Sequence, residues 1–247
     1  MGALPSGPVK DDEHFDLRVS ECASFDTKPL VITQDSGPVC CLLTPKLGEW
    51  IPEAEFRVGR VHFKIESHDQ GWDIGEEFMT KYMGSWTWFE AVIIRDFVLP
   101  THCNTDSNDG LLSADDISDR LKEAVKRRRK GELLSETEEI LSVRTPVGDL
   151  STVKNKSKTT KDVWPIQRNI RASKEPTLYE VYWSKVDLGF HDELDDLEFM
   201  DMTGSGRGTG FVQCLRPTDR IGVIGRAMYP GWINNVRKVE IEVWYMV

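Results

Sequence analysis

No run of about 18 apolar residues occurs in the 247-residue chain, so the sequence offers no membrane-spanning helix. Cysteine is scarce. The five present include the neighbours Cys40 and Cys41, with Cys22, Cys103 and Cys214 standing singly. That pattern is neither a disulfide framework nor the CxxC spacing of a zinc site, and the odd total fits a reducing compartment. Basic residues are outnumbered, 31 against 41 acidic, for a net charge of −10. A field of that sign repels phosphate, and there is no strong nucleic-acid signal. The opening MGALPSGPVKDDEHFD lacks the apolar core of a secretion signal. These absences lead to the expectation of a soluble cytoplasmic protein, with KRRRK at 126–130 as a short candidate for nuclear import. No full internal repeat is visible, and the absence of a βαβ rhythm argues against a doubly wound sheet.

What is present is a succession of short strand patterns. In FRVGRVHFKIES, Val61, Phe63 and Ile65 alternate with His62 and Lys64, the period of a half-buried strand. SWTWFEAVIIRDFVL gives a second strand region, and VWPIQRNIRAS and TLYEVYWSKVDLGF two more. The final section places a strand at Ile221–Ala227, a turn at Tyr229–Trp232, and a last strand. There Val239, Ile241, Val243 and Tyr245 alternate with Glu240, Glu242 and Trp244. Its expected partner is FRVGRVHFKIES. PLVITQ and VCCLLTP read as additional edge strands.

Residues 101–162 differ. Ser113 and Asp116 make a capping box, followed by Ile117, Leu121, Ala124 and Val125 on one face of a predicted helix that stops at Gly131. A polar stretch rich in lysine and threonine follows without periodicity. The expected organisation is a disordered stretch over 1–16, then one domain over 17–247 carrying a helical, partly disordered insertion at 101–162. The fold class is mainly β, an antiparallel sandwich of jelly-roll or galactose-binding-like type.

Eight tryptophans are a high count, and Trp72, Trp86 and Trp88 fall close together. Trp86 and Trp88 are expected mostly buried, whereas Trp72 and Trp232, in Gly-Trp turns, are expected partly exposed. An exposed indole covers the apolar face of a sugar while amides and acids take its hydroxyls. On that logic the candidate ligand contacts are His68, Asp69, Gln70, Trp72, Arg168, Asn169, Tyr229, Trp232 and Asn234. Ser67-His68-Asp69 names three catalytic residue types, but neighbours on a strand point to opposite faces, so no catalytic set is assigned.

HDELDDLEFMD lacks the spacing of an EF-hand, yet Asp192, Asp195, Asp196 and Glu198 are candidate ligands for an irregular Ca²⁺ loop. GSGRGTG at 204–210 has no following Gly-Lys-Ser/Thr, and Phe211 reads as the start of a strand, so a flexible hairpin is expected rather than a phosphate cradle.

Trp72 through Trp88, Trp164-Pro-Ile-Gln-Arg-Asn169, Leu215-Arg-Pro-Thr-Asp-Arg-Ile221 and Arg226-Ala-Met-Tyr-Pro-Gly-Trp232-Ile-Asn234 together resemble a β-domain of uncharacterised fungal proteins, marked by a GDRI-like strand and a following PGW-x-N turn. The likeness covers about residues 56–100 and 163–247. It implies a fold and an origin and no activity. The reading that follows is a recognition module for a carbohydrate or protein partner. A glycan hydrolase using paired carboxylates such as Glu90 with Glu66 or Asp69, and a homotypic assembly module, are the alternatives.

Overall fold

The computed structural model describes residues 17–25, 27–53, 56–72, 79–94, 119, 163–185 and 194–245. The strands are β1 (Leu17–Ser24), β2 (Leu30–Thr33), β3 (Val39–Leu43), β4 (Val58–His68), β5 (Thr87–Ile94), β6 (Trp164–Arg168), β7 (Thr177–Ser184), β8 (Arg220–Ala227) and β9 (Ile233–Tyr245). Three short helices are complete among the described residues, α1 (Leu47–Trp50), α2 (Asp196–Thr203) and α3 (Phe211–Cys214). All pairings are antiparallel. One sheet runs β1-β9-β4-β7 with β2 also on β9, and the other runs β3-β8-β5-β6.

The expected mainly-β sandwich of two packed antiparallel sheets is what forms. Its logic is the period of two. β4 and β9 place Val61 opposite Val243, Phe63 opposite Ile241 and Ile65 opposite Val239. All six side chains are fully buried between the sheets, each contributing roughly 1.5–3 kcal/mol of burial. From the facing sheet come Phe89, Ala91, Ile166, Ile221 and Val223. Phe63, Trp183, Phe211 and Trp164 fill the rest in edge-to-face contacts at 4.7 to 6.0 Å. Gly225 is required in β8, because a Cβ there would stand 2.4 Å from Ile32 Cδ1.

The other side of the four-stranded sheet is also apolar. Trp88, Val92, Ile94 and Ile224 project away from the inter-sheet core and are nonetheless buried. Among them lies an ion pair of Glu90 with Arg226, to which Trp88 Nε1 donates at 2.8 Å. The five-stranded sheet instead carries charge outward. His62 Nδ1 and Lys64 Nζ contact Glu242 at 2.9 and 2.7 Å, Arg18 reaches it at 3.1 Å, and Tyr182 stacks on His62 with centroids 3.7 Å apart.

Three local expectations are corrected. From Asp195 onward the acidic run is not a loop but the cap and body of α2, while Asp192 and Glu193 lie outside the described residues. Asp195 accepts from the amides of Leu197 and Glu198 while Glu198 returns to the Asp195 amide, a capping box that satisfies otherwise orphaned donors. Phe211 opens α3 and not a strand. The glycine run before it is a close-packed crossing. A Cβ on Gly206 would fall 1.8 Å from the Pro165 carbonyl oxygen, and one on Gly208, at φ 65, 2.0 Å from the Trp183 ring. β1 had no sequence forecast, since Glu21 interrupts its alternation. The forecast helix at 113–131, the disordered 1–16 and most of the insertion lie outside the described residues, although Asp119 is helical. Among the described residues no helix is long and apolar enough to cross a membrane.

Candidate functional site

Strand register brings three of the sequence-selected segments to one end of the sandwich. His68 at the end of β4 pairs with Asn235 near the start of β9. Arg168 at the end of β6 pairs with Trp88 near the start of β5, whose Thr87 pairs with Ala227 at the end of β8. The Tyr229–Trp232 turn therefore sits beside the Gln70–Trp72 turn. The contact is direct, because the Trp72 ring covers Gly231, where a Cβ would stand 3.0 Å from Cη2.

Beneath these turns is a buried polar network. Ser67 Oγ donates to Asn169 Oδ1 at 2.7 Å. Asn169 Nδ2 donates to Thr87 Oγ1 at 2.9 Å and to Asn234 Oδ1 at 3.0 Å. Asn234 Nδ2 donates in turn to the carbonyls of Arg226 and Trp88 at 3.2 and 3.4 Å. Ser67 and Asn234 belong to one sheet, and Thr87 and Asn169 to the other. All four are fully buried, so Asn169 and Asn234 hold the sheets together and present no group to a ligand.

Asp69 and Gln70 fix the turns themselves. The Asp69 carboxylate accepts from Gly71 N at 2.9 Å and from Ala172 N at 2.7 Å. Burial pushes its pKa up from 3.8 to about 6, against the opposing pull of the Gly71, Ala172 and Ser173 amides and of His68. Gln70 accepts from Ile233 N at 3.2 Å and donates to the Trp72 carbonyl at 2.7 Å, tying the two aromatic turns. His68 Nδ1 donates to the Asp69 carbonyl at 2.7 Å. Arg168 is committed to Asp201 of α2. Burial lowers its pKa, and the Asp201 charge works the other way.

What faces solvent is aromatic. Trp72 is 53% exposed and Tyr229 42%. Tyr229 holds a left-handed φ of 70° and meets Trp86 edge-on at 4.8 Å. Trp232 is half-buried, while Trp88 is buried in the outer layer of its sheet. Sequence reasoning did not single out Thr87 or Ala172 at this end, and Trp86, expected mostly buried, is half-buried. A polar residue such as Thr87 or Asn234 inside an apolar strand pattern was the available signal.

The remaining candidates do not converge. Ser67, His68 and Asp69 each have a different partner, so no nucleophile-base relay forms among them. Glu66 lies outward on the five-stranded sheet, 3.9 Å from Arg237, whereas Glu90 lies outward on the opposite sheet with Arg226. That places the sandwich between two carboxylates that a glycosidase would need on either side of one bond. Of the calcium candidates, Asp195 and Glu198 are used in the cap, Asp196 pairs with Arg207 at 3.2 Å, and Asp192 lies outside the described residues. Among the described residues there is no group of three or more metal-ligating side chains. No protein-family profile, no curated protein and no solved structure matches the chain.

Proposed function

We propose that the chain is a non-enzymatic recognition module whose aromatic end binds carbohydrate in a lectin-like manner. One observation carries the reading. Trp72 and Tyr229 are exposed on turns whose backbones are fixed from below by Asp69 and Gln70. An open indole or phenol face suits the CH face of a sugar, and a surface already ordered loses little entropy on binding. The test is a glycan array with and without Ca²⁺, with hits followed by tryptophan fluorescence. Trp72→Ala and Tyr229→Ala are each expected to weaken saturable binding about tenfold, about 1.4 kcal/mol, in a folded protein. Silence on the array in both conditions sinks the reading. Loss of binding with chelator would bring the acidic segment around Asp192 back into it.

A second reading, homotypic or partner assembly, has its own support. Among the described residues β7 is a sheet edge that pairs with β4 alone, and its outward Leu178 and Tyr182 are 57% and 55% exposed. Exposed edges recruit further strands. Sedimentation over a concentration series tests it, with a mass that rises in the wild type and stays monomeric in Leu178→Lys. A monomer at every concentration would remove the homotypic form.

A further inference from the structure

We propose that Asp69 is a positioning residue for the aromatic end, and that its carboxyl makes the hold on the Trp72 turn depend on pH, tightening as the pH falls; this rests on the recognition reading above. Two separate loops meet on this one side chain. Its Oδ1 takes the amide of Gly71, next to Trp72, and its Oδ2 takes the amide of Ala172, four residues past Arg168. Ala172 has a left-handed φ of 56°, a conformation unfavourable for a non-glycine residue that needs an outside hold. The loops also touch each other. The stem of Lys174 lies across Gly71, where a Cβ would be 2.0 Å from Lys174 Cγ. Gly71 in turn precedes the indole that covers Gly231, so the clasp sets where the Trp72 ring stands.

The direction follows from the surroundings. Asp69 is fully buried, and among the described residues no Lys or Arg forms an ion pair with it. From β4 it faces His68, and from β7 Tyr179, whose own pKa is pushed up to about 12 by burial and whose oxygen accepts from Ile170 N. From β9 the neutral side-chain amide of Asn235 reaches its backbone carbonyl at 3.5 Å, and the other loop, after β6, carries Arg171 and Lys174. Backbone donors favour the anion, but burial without an ion-pair partner opposes it more strongly, leaving the carboxyl at about 6. A carboxyl harder to ionise when clasped than when released makes protonation favour the clasp. The hold is therefore complete below about pH 4, weakens as the pH rises to about 6, and is constant above that.

Amide hydrogen exchange on the whole protein reads this without any ligand, so a silent glycan array would leave the outcome interpretable. After correction for intrinsic rates, protection of Gly71 and Ala172 is expected to fall up to about a hundredfold between pH 4 and pH 7, the factor that follows from a shift of about two pH units. Val61 and Ile241 in the core report the global stability over the same range, and the protection of Gly71 and Ala172 is read relative to theirs. In Asp69→Asn the two amides should lose their pH dependence. Protection that is flat or rises with pH in the wild type overturns the proposal. If Asp69→Asn does not fold, the carboxyl resonance of Asp69 in the wild type decides, with a midpoint near 6 supporting the clasp and one near 4 overturning it.

Discussion

Asn169 donates its side-chain amide to the Asn234 carbonyl oxygen at 3.0 Å, and through that bond the two sheets are joined at the end that carries the exposed aromatics. Both residues are fully buried, and each makes further bonds to its own sheet or across to the other. The bond is thus one link in a chain from Ser67 to the Arg226 carbonyl. A network of this kind rewards completeness, because a missing member strands its partners away from water.

Asn169→Ala removes an acceptor from Ser67 and a donor from Thr87 and Asn234 at once. The expected loss is about 2–4 kcal/mol, above the ordinary value of one hydrogen bond, because buried groups are left unmatched. Urea unfolding followed by tryptophan fluorescence measures it. A midpoint equal to the wild type would show that water replaces the side chain without penalty.

The strand framework was legible because it depends on nearest-neighbour alternation. Val61, Phe63 and Ile65, and the matching Val239, Ile241 and Val243, declare their faces without any knowledge of the fold. The same holds for the gathering of the Trp72 and Trp232 turns, which follows once β4 pairs with β9. What the pattern hides is the use of each polar group. Asn169 and Asn234 look like ligand contacts in a sequence because Asn is usually exposed, yet their partners lie tens to over a hundred residues away. Gly206 and Gly208 look like flexibility for the same reason. Their function is to let the chain pass against Pro165 and Trp183, which no local pattern announces. The capping box of Asp195 and Glu198 was readable, but six acids in one short run drew attention to charge instead.

The outward face of the five-stranded sheet sets the acid limit of stability. Burial alone would raise the Glu242 carboxyl, but hydrogen bonds from Lys64 and His62 and the charges of Lys64 and Arg18 outweigh it and hold it below its ordinary 4.5. Glu240 is lowered too, first by its hydrogen bond from Lys238. A carboxylate with a depressed folded pKa contributes stability that is present above about 4.5 and lost as the pH falls through the folded value. The wild type should therefore lose stability below about pH 4.5. Glu242→Gln should be less stable at pH 7 and show a shallower decline on acidification, as read by urea midpoints at pH 7, 5, 4 and 3. Parallel curves for the two proteins would mean that Glu242 does not carry this limb.

Glu90 and Arg226 allow the opposite kind of test, since their pair is buried in an apolar layer. Taking two charges out of water costs several kcal/mol for each ion, and the attraction between them regains it only when geometry and hydrogen bonding are good. Here Trp88 Nε1 supplies an additional bond to Glu90 at 2.8 Å. Removing Glu90 takes a negative charge and a hydrogen-bond acceptor from the buried Arg226 guanidinium, so Glu90→Met is expected to cost about 3–5 kcal/mol. Replacing both, as Glu90→Met with Arg226→Met, should recover most of that loss, because two flexible apolar side chains suit a face already built from Trp88, Val92, Ile94 and Ile224. A double-mutant cycle by urea unfolding gives the coupling directly. If the double variant is as unstable as the single one, the pair contributes through the shape and bonding of this layer, and not through mutual neutralisation.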